Sequence, residues 1–121
     1  NNENFDLPLI KGITDRLSLS FTLSRGNPEK TYIIVDKGRL KTYQLTATSE
    51  ETILRKGKKL SALSYTFRSI EGKNVPVTGD NMTLYKYWFN KNLSDYMIRL
   101  QKFVGGEETV RLDSILLTSN H

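Results

Sequence analysis

The sequence contains no cysteine and one histidine, and both features exclude particular kinds of chemistry. Without cysteine there is no disulfide scaffold, no thiolate zinc site and no cysteine nucleophile. The histidine is His121, the last residue, and an imidazole at a chain terminus is poorly placed to act as a general base or a metal ligand. The sequence therefore predicts no metal, no other cofactor and no histidine-dependent catalysis.

Long apolar runs are also absent, since no stretch reaches the roughly 18 to 20 residues of a membrane-spanning helix. Hydrophobic residues make up 37% of the 121 positions and aromatic residues 10%, which suffices for one packed core. The net charge is +5, from 18 Lys plus Arg against 13 Asp plus Glu. We expect a single basic domain over residues 1–121.

Alternating apolar and polar residues predict a mainly β fold. The predicted strands are Thr31–Asp36, Arg39–Thr48, Glu51–Lys56, Leu60–Arg68, Met82–Phe89, Tyr96–Val104 and Thr109–Leu117. Glycine-containing turns join several of them as hairpins, and 70–81 is predicted to be the longest loop. In the second and fourth strands the side chains expected to face the core include Tyr43, Leu45, Ala47, Leu63, Tyr65 and Phe67. Six or seven strands in this order predict a curved antiparallel meander or half-barrel.

The segment before the first of these strands has two interpretations. Leu17, Leu19, Phe21 and Leu23 alternate with serine and threonine, which by period is a strand with one apolar face. On a helix, Leu17 and Phe21 would instead stack at a spacing of four residues. The residues alone leave both interpretations open.

Four positive charges surround Gly57 at one predicted hairpin tip. They are Arg55, Lys56, Lys58 and Lys59. Such a tip attracts phosphates or anionic headgroups, although charged tips also occur simply to keep sheet edges from pairing. Binding of nucleic acid would require exposed aromatic rings nearby, and the neighbouring aromatic residues alternate like core residues. Nucleic acid is therefore not favoured as a partner.

The densest aromatic block is Tyr85, Tyr87, Trp88 and Phe89. A strand directs Tyr85, Tyr87 and Phe89 to one face and Trp88 to the other. One face is expected in the core, and the other is a candidate surface for an apolar or sugar ligand. Packing of the whole block is the alternative interpretation, because aromatic residues are common in strands.

No catalytic constellation is recognisable in the sequence. The acidic pairs Glu50–Glu51 and Glu107–Glu108 are sequence neighbours, which a strand sends to opposite faces. No serine has a nucleophile-elbow context, and no glycine loop has the residues that bind phosphate. We expect a protein that is not an enzyme.

Five segments carry a resemblance to a known family. They are Ile13–Ser18, Asp36–Tyr43, Thr83–Phe89, Leu93–Arg99 and Val110–Leu117. In order and spacing they resemble the bacterial family catalogued as domain of unknown function 3108, and the resemblance extends over nearly the whole chain from Ile13 onward. The chain departs from the family at Met97, where proline is frequent, and this affects only local strand geometry.

The resemblance implies an exported, periplasmic protein of the Gram-negative cell envelope, of which this chain would be the C-terminal half. It further implies that Asp15–Leu23 is a short helix with Asp15 near its N-cap, and this helix is the interpretation we adopt. It implies no catalytic residues. A curved sheet around a helix is also similar to the lipoprotein carriers of the periplasm, an analogy of fold alone.

Together these observations predict a non-enzymatic envelope domain that binds a lipid or another amphiphilic or polymeric component on its concave face. The expected contacts are Tyr85, Tyr87 and Trp88, with Arg55, Lys56, Lys58 and Lys59 attracting anionic headgroups at the rim. Two alternatives remain. One is a nucleic-acid-binding β-barrel module, and the other is a structural domain that self-associates through a sheet edge.

Overall fold

The computed structural model describes residues 13–26, 28–36, 38–72 and 75–116, so that His121 lies outside the described part. In chain order the elements are β1 (Ile13–Asp15), α1 (Arg16–Ser24), β2 (Thr31–Asp36), β3 (Arg39–Arg55), β4 (Lys58–Glu71), β5 (Val75–Pro76), a short 3₁₀ helix (Gly79–Asn81), β6 (Thr83–Asn90), β7 (Leu93–Val104) and β8 (Glu107–Leu116). The prediction of a mainly β fold with a short helix near the start is confirmed.

The described strands form one sheet in the order β1-β2-β3-β4-β6-β7-β8, and β5 pairs with the end of β4. Adjacent strands of the sheet are antiparallel, except that β1 runs parallel to β2, with Thr14 opposite Ile34. Register shifts interrupt the pairing of β3 with β4, β6 with β7 and β7 with β8. Because such irregularities bend a strand and increase its twist, the sheet curls into the predicted half-barrel.

Strand β3 is longer than predicted, because it runs without a break through the two segments that the sequence suggested. Ser49 and Glu51 continue the ladder opposite Ser64 and Ala62, so cross-strand pairing overrides the weak strand preference of glutamate. The register shift between Leu45 and Ala47 leaves Ala47 exposed. The expectation that Ala47 lines the core is therefore wrong, since alternation does not persist across a bulge.

Residues 16–24 form a helix, so the strand interpretation of this segment is wrong. Asp15 caps the helix, and its carboxylate accepts hydrogen bonds from the backbone N–H groups of Leu17 (3.0 Å) and Ser18 (2.7 Å). Leu19 is buried while Leu17 is exposed. The helix thus presents one narrow apolar face to the sheet.

The middle of the concave face is filled by this helix and by aromatic rings. The Phe67 ring lies edge-on to Tyr32 and Tyr87, with centroids 5.6 and 6.0 Å away. The Tyr87 hydroxyl donates a hydrogen bond of 2.7 Å to the backbone carbonyl of Arg16, which ties the start of α1 to β6. Leu19 joins the same cluster. The half-barrel therefore has a packed interior at this level.

A hydrogen-bonded network lies on the convex face beside a smaller apolar cluster. Trp88 Nε1 donates to Gln101 Oε1 at 2.9 Å, and Gln101 Nε2 donates to Glu108 Oε1 at 2.7 Å. Arg111 Nε reaches the same carboxylate oxygen at 3.1 Å. The hydrogen bond from Gln101, followed by the one from Arg111, lowers the pKa of Glu108 below its ordinary value.

This network predicts an acid dependence of stability. Because the folded-state pKa of Glu108 lies below its ordinary value of 4.5, the ionised carboxylate stabilises the fold above that value, and this contribution disappears as the pH falls through the folded-state pKa. We expect the wild type to lose more stability than Glu108→Gln between about pH 7 and pH 3, as measured by urea unfolding. Parallel losses in the two proteins would contradict the network.

Candidate functional site

Tyr85 and Tyr87, two of the residues expected to contact a ligand, lie in the core. Both are fully buried on the concave side of β6, and the Tyr85 ring packs 5.1 Å from that of Tyr43. Burial, together with the neighbouring Tyr85, raises the pKa of Tyr87 well above its ordinary value. Contact between a ligand and either ring would require the core to open, so neither ring forms an accessible binding surface.

Trp88 lies on the opposite, convex face, as the alternation predicted. Its ring is 8% exposed and is covered by Lys86, whose Nζ lies 4.1 Å from the ring centroid. Its indole N–H is bonded to Gln101. These contacts leave little of the Trp88 ring available for binding.

The basic tip is a separate part of the surface. Lys56, Lys58 and Lys59 are exposed at the turn between β3 and β4, while the side chain of Arg55 lies outside the described part. The structure therefore does not bring the predicted aromatic and basic residues into one site.

The concave face remains open at the opposite end of the β3–β4 hairpin. A cleft of about 880 Å³ lies there, beyond the rings that fill the middle. Its lining residues are Arg39, Leu40, Lys41, Thr42, Ser69, Ile70, Glu71, Val77, Asn81, Thr83, Lys102 and Val104. They come from β3, β4, β6 and β7 and from the segment between β5 and β6.

Three of the described lining residues are cations. Arg39 and Lys41 are exposed on β3, and neither forms a salt bridge with another described residue. Lys102 comes from β7, is 8% exposed, and its Nζ lies 5.7 Å from the Tyr85 ring centroid. Glu71 is the acidic residue among the described lining residues. Among the described lining residues, positive side chains therefore outnumber negative ones.

Neutral groups complete the walls. The Ser69 hydroxyl oxygen accepts a hydrogen bond of 3.0 Å from the backbone N–H of Thr83, which fixes β4 against the start of β6. Val104 supplies apolar surface beside the cations, and Leu40 and Ile70 also line the cleft from neighbouring positions on β3 and β4. This combination suits a ligand with a negative group next to an apolar part.

The cleft residues were not predicted from the sequence, although a signal for them exists. Lys41 shares the inward face of β3 with Tyr43, and Lys102 lies opposite the inward-facing Tyr85. A lysine that continues an apolar alternation is unusual, because lysine is rarely found on the inward face of a strand. The sequence does not show that the two lysines border one cleft, since β3 and β7 become neighbours across the hollow only when the sheet curls.

Among the residues that the structure describes, no group of three or more acidic or histidine side chains is arranged so that it could hold a metal ion. Within the same described ranges, no helix has the length and apolar character needed to cross a membrane.

No protein-family model, curated protein or solved structure matches the chain. The resemblance to the bacterial family stays a prediction, and so does the periplasmic location that it implies.

Proposed function

We propose that this protein is a non-enzymatic binding domain that holds the anionic group of a small amphiphile in the cleft. The observation that carries the proposal is the placement of Arg39, Lys41 and Lys102 around one open cavity with apolar walls. Charged hydrogen bonds from such groups to a phosphate or carboxylate are about twice as strong as neutral ones. Lys102 is almost buried, and its charge is weakly screened by solvent.

The size of the cleft supports a small ligand. Its volume of about 880 Å³ falls within the roughly 300 to 1,000 Å³ typical of small-molecule sites. Leu19 and Phe67 fill the hollow behind it, which leaves no room there for a long acyl chain. The ligand head would enter the cleft, and its tail would lie along Val104.

Titration with dodecyl phosphate tests this proposal. We expect binding by isothermal calorimetry below the concentration at which micelles form, and about tenfold weaker binding by Lys41→Gln, because one charge-assisted hydrogen bond is lost. Lys30→Gln is the matched control, since Lys30 is exposed and outside the cleft lining. Equal weakening in both variants, or equal binding of uncharged dodecyl maltoside, would contradict a specific cationic site.

The self-association alternative receives less support from the structure. Edge strand β8 carries charged side chains, and three of them take part in ion pairs: Arg111 with Glu108 at 3.1 Å, and Asp113 with Arg99 of β7 at 2.9 Å. Charged side chains on an edge strand oppose pairing with a second chain. The cleft is therefore the stronger basis for a function.

A further inference from the structure

The β3–β4 hairpin ends in a two-stranded extension, which we call the basic ribbon and define as Thr52–Ser61. Leu54 pairs with Lys59, and Arg55 with Lys58. The pairing of β4 with β6 stops at Ala62, and that of β2 with β3 stops at Gln44. Among the described strands the basic ribbon therefore has no third strand beside it, and it projects from the sheet.

The turn at the end of the basic ribbon is tight. Lys56 and Gly57 both have positive φ angles, 52° and 78°, as in the two-residue turns whose twist matches that of a hairpin. The turn thus concentrates four basic residues within a short distance, and Lys56, Lys58 and Lys59 are all exposed.

No acidic residue neutralises this charge within the basic ribbon, as its sequence shows. The nearest acids along β3 are Glu50 and Glu51, and both are engaged elsewhere. Glu50 accepts a hydrogen bond from Lys91 at 2.8 Å, and Glu51 lies 3.8 Å from Lys86 Nζ. The acids of the hairpin are therefore directed towards β6 and the turn after it, away from the tip.

An apolar side chain accompanies the positive charge. Leu54 is 71% exposed, the highest value among the large hydrophobic residues that the structure describes as exposed. Its neighbour Ile53 and the paired Leu60 pack against the convex cluster around Trp88. Alternation along β3 places Leu54 on the other face, next to Lys59.

We propose that the basic ribbon docks the protein onto an anionic lipid bilayer, with its lysines among the phosphates and Leu54 inserted between the headgroups. Each Lys or Arg side chain close to an anionic membrane surface is attracted to it, and an adjacent apolar side chain adds to the binding. The basic ribbon is about 40 Å from the cleft along β3, at roughly 3.3 Å per residue, so docking does not depend on the cleft.

A bilayer fits the basic ribbon better than a nucleic acid does. Binding of single strands relies on bases stacking on aromatic rings, and Thr52–Ser61 contains no aromatic residue. The exposed Leu54 has no role against a phosphate backbone, whereas it can enter the boundary between headgroups and acyl chains.

Vesicle co-sedimentation tests the docking. We expect binding to vesicles of phosphatidylglycerol and phosphatidylcholine and not to phosphatidylcholine alone. The double variant Lys58→Gln, Lys59→Gln should lower the partition coefficient about 30-fold, because each lysine near an anionic surface contributes about fivefold. The matched control is the double variant Arg25→Gln, Lys30→Gln, which removes the same charge from exposed residues outside the basic ribbon. This control should change the partition coefficient less than about threefold.

Further variants separate docking onto a membrane from ligand binding in the cleft and from binding of nucleic acid. Leu54→Ser should weaken vesicle binding several-fold, because the inserted apolar side chain is lost. Lys41→Gln changes the cleft and not the basic ribbon, so it should leave vesicle binding unchanged whether or not it weakens the binding of dodecyl phosphate. Equal losses in the double variant and its matched control would overturn the docking proposal. The docking proposal would also be overturned if the protein bound a single-stranded oligonucleotide more tightly than anionic vesicles and the double variant lost its binding to the oligonucleotide.

Discussion

Replacing Leu19 by alanine is expected to lower the free energy of unfolding by about 3 kcal/mol, as measured by urea denaturation. Leu19 is fully buried on the inner face of α1, in the cluster with Phe67 and Tyr87. Truncation of a buried leucine removes the transfer free energy of its side chain and leaves a cavity, and such changes cost roughly 2 to 5 kcal/mol.

Leu17→Ala is the matched control, because it makes the same change on the same helix at a side chain that is 46% exposed. We expect it to alter stability by less than about 0.5 kcal/mol. A strand over 16–24 would place Leu17 and Leu19 on one face and make the two losses similar. Similar losses of stability in Leu17→Ala and Leu19→Ala would thus contradict a helix that packs its Leu19 face into the concave side of the sheet.

Truncation of Phe67 to alanine should have a still larger effect, about 4 kcal/mol. Phe67 is fully buried at the centre of the concave face, and its ring contacts those of Tyr32 and Tyr87 edge-on. Loss of a buried phenyl ring costs roughly 3 to 5 kcal/mol, and the edge-to-face contacts with its neighbours are lost as well.

Phe21→Ala tests whether that cost comes from burial. Phe21 is 39% exposed on the outer side of α1, and its truncation should cost less than about 1 kcal/mol. Urea unfolding of both variants, followed by circular dichroism, gives the comparison. A small effect of Phe67→Ala would show that the ring is not in a packed interior and that the hollow is accessible to a ligand.

Much of the sheet could be predicted from the sequence, because its strands follow a two-residue alternation between clear turns. Strand β2 was predicted with its observed bounds, and the inward face of β4 was predicted through Tyr65 and Phe67. The bulge after Leu45 was not foreseeable, since no glycine or proline marks it. Residues alone left 16–24 ambiguous because serine and threonine are tolerated in both elements, and the family resemblance favoured the helix that is observed.

The candidate site was less accessible to sequence analysis. Aromatic residues attracted attention because they are common in ligand sites, yet Tyr85 and Tyr87 pack the core. The cations of the cleft belong to strands separated in sequence, and Lys41 and Lys102 border one cavity only in the curled sheet. The basic tip was visible as a run of charge, whereas the exposure of Leu54 beside it was not.

Mapping of backbone amide chemical shifts during titration with dodecyl phosphate tests most directly whether the cleft, rather than the closed interior, binds the ligand. Binding in the cleft predicts the largest shifts at Lys41, Glu71 and Lys102, with α1 unaffected. Largest shifts at Leu19 and Leu23 would show instead that the ligand enters between the helix and the sheet, which would contradict the proposed site.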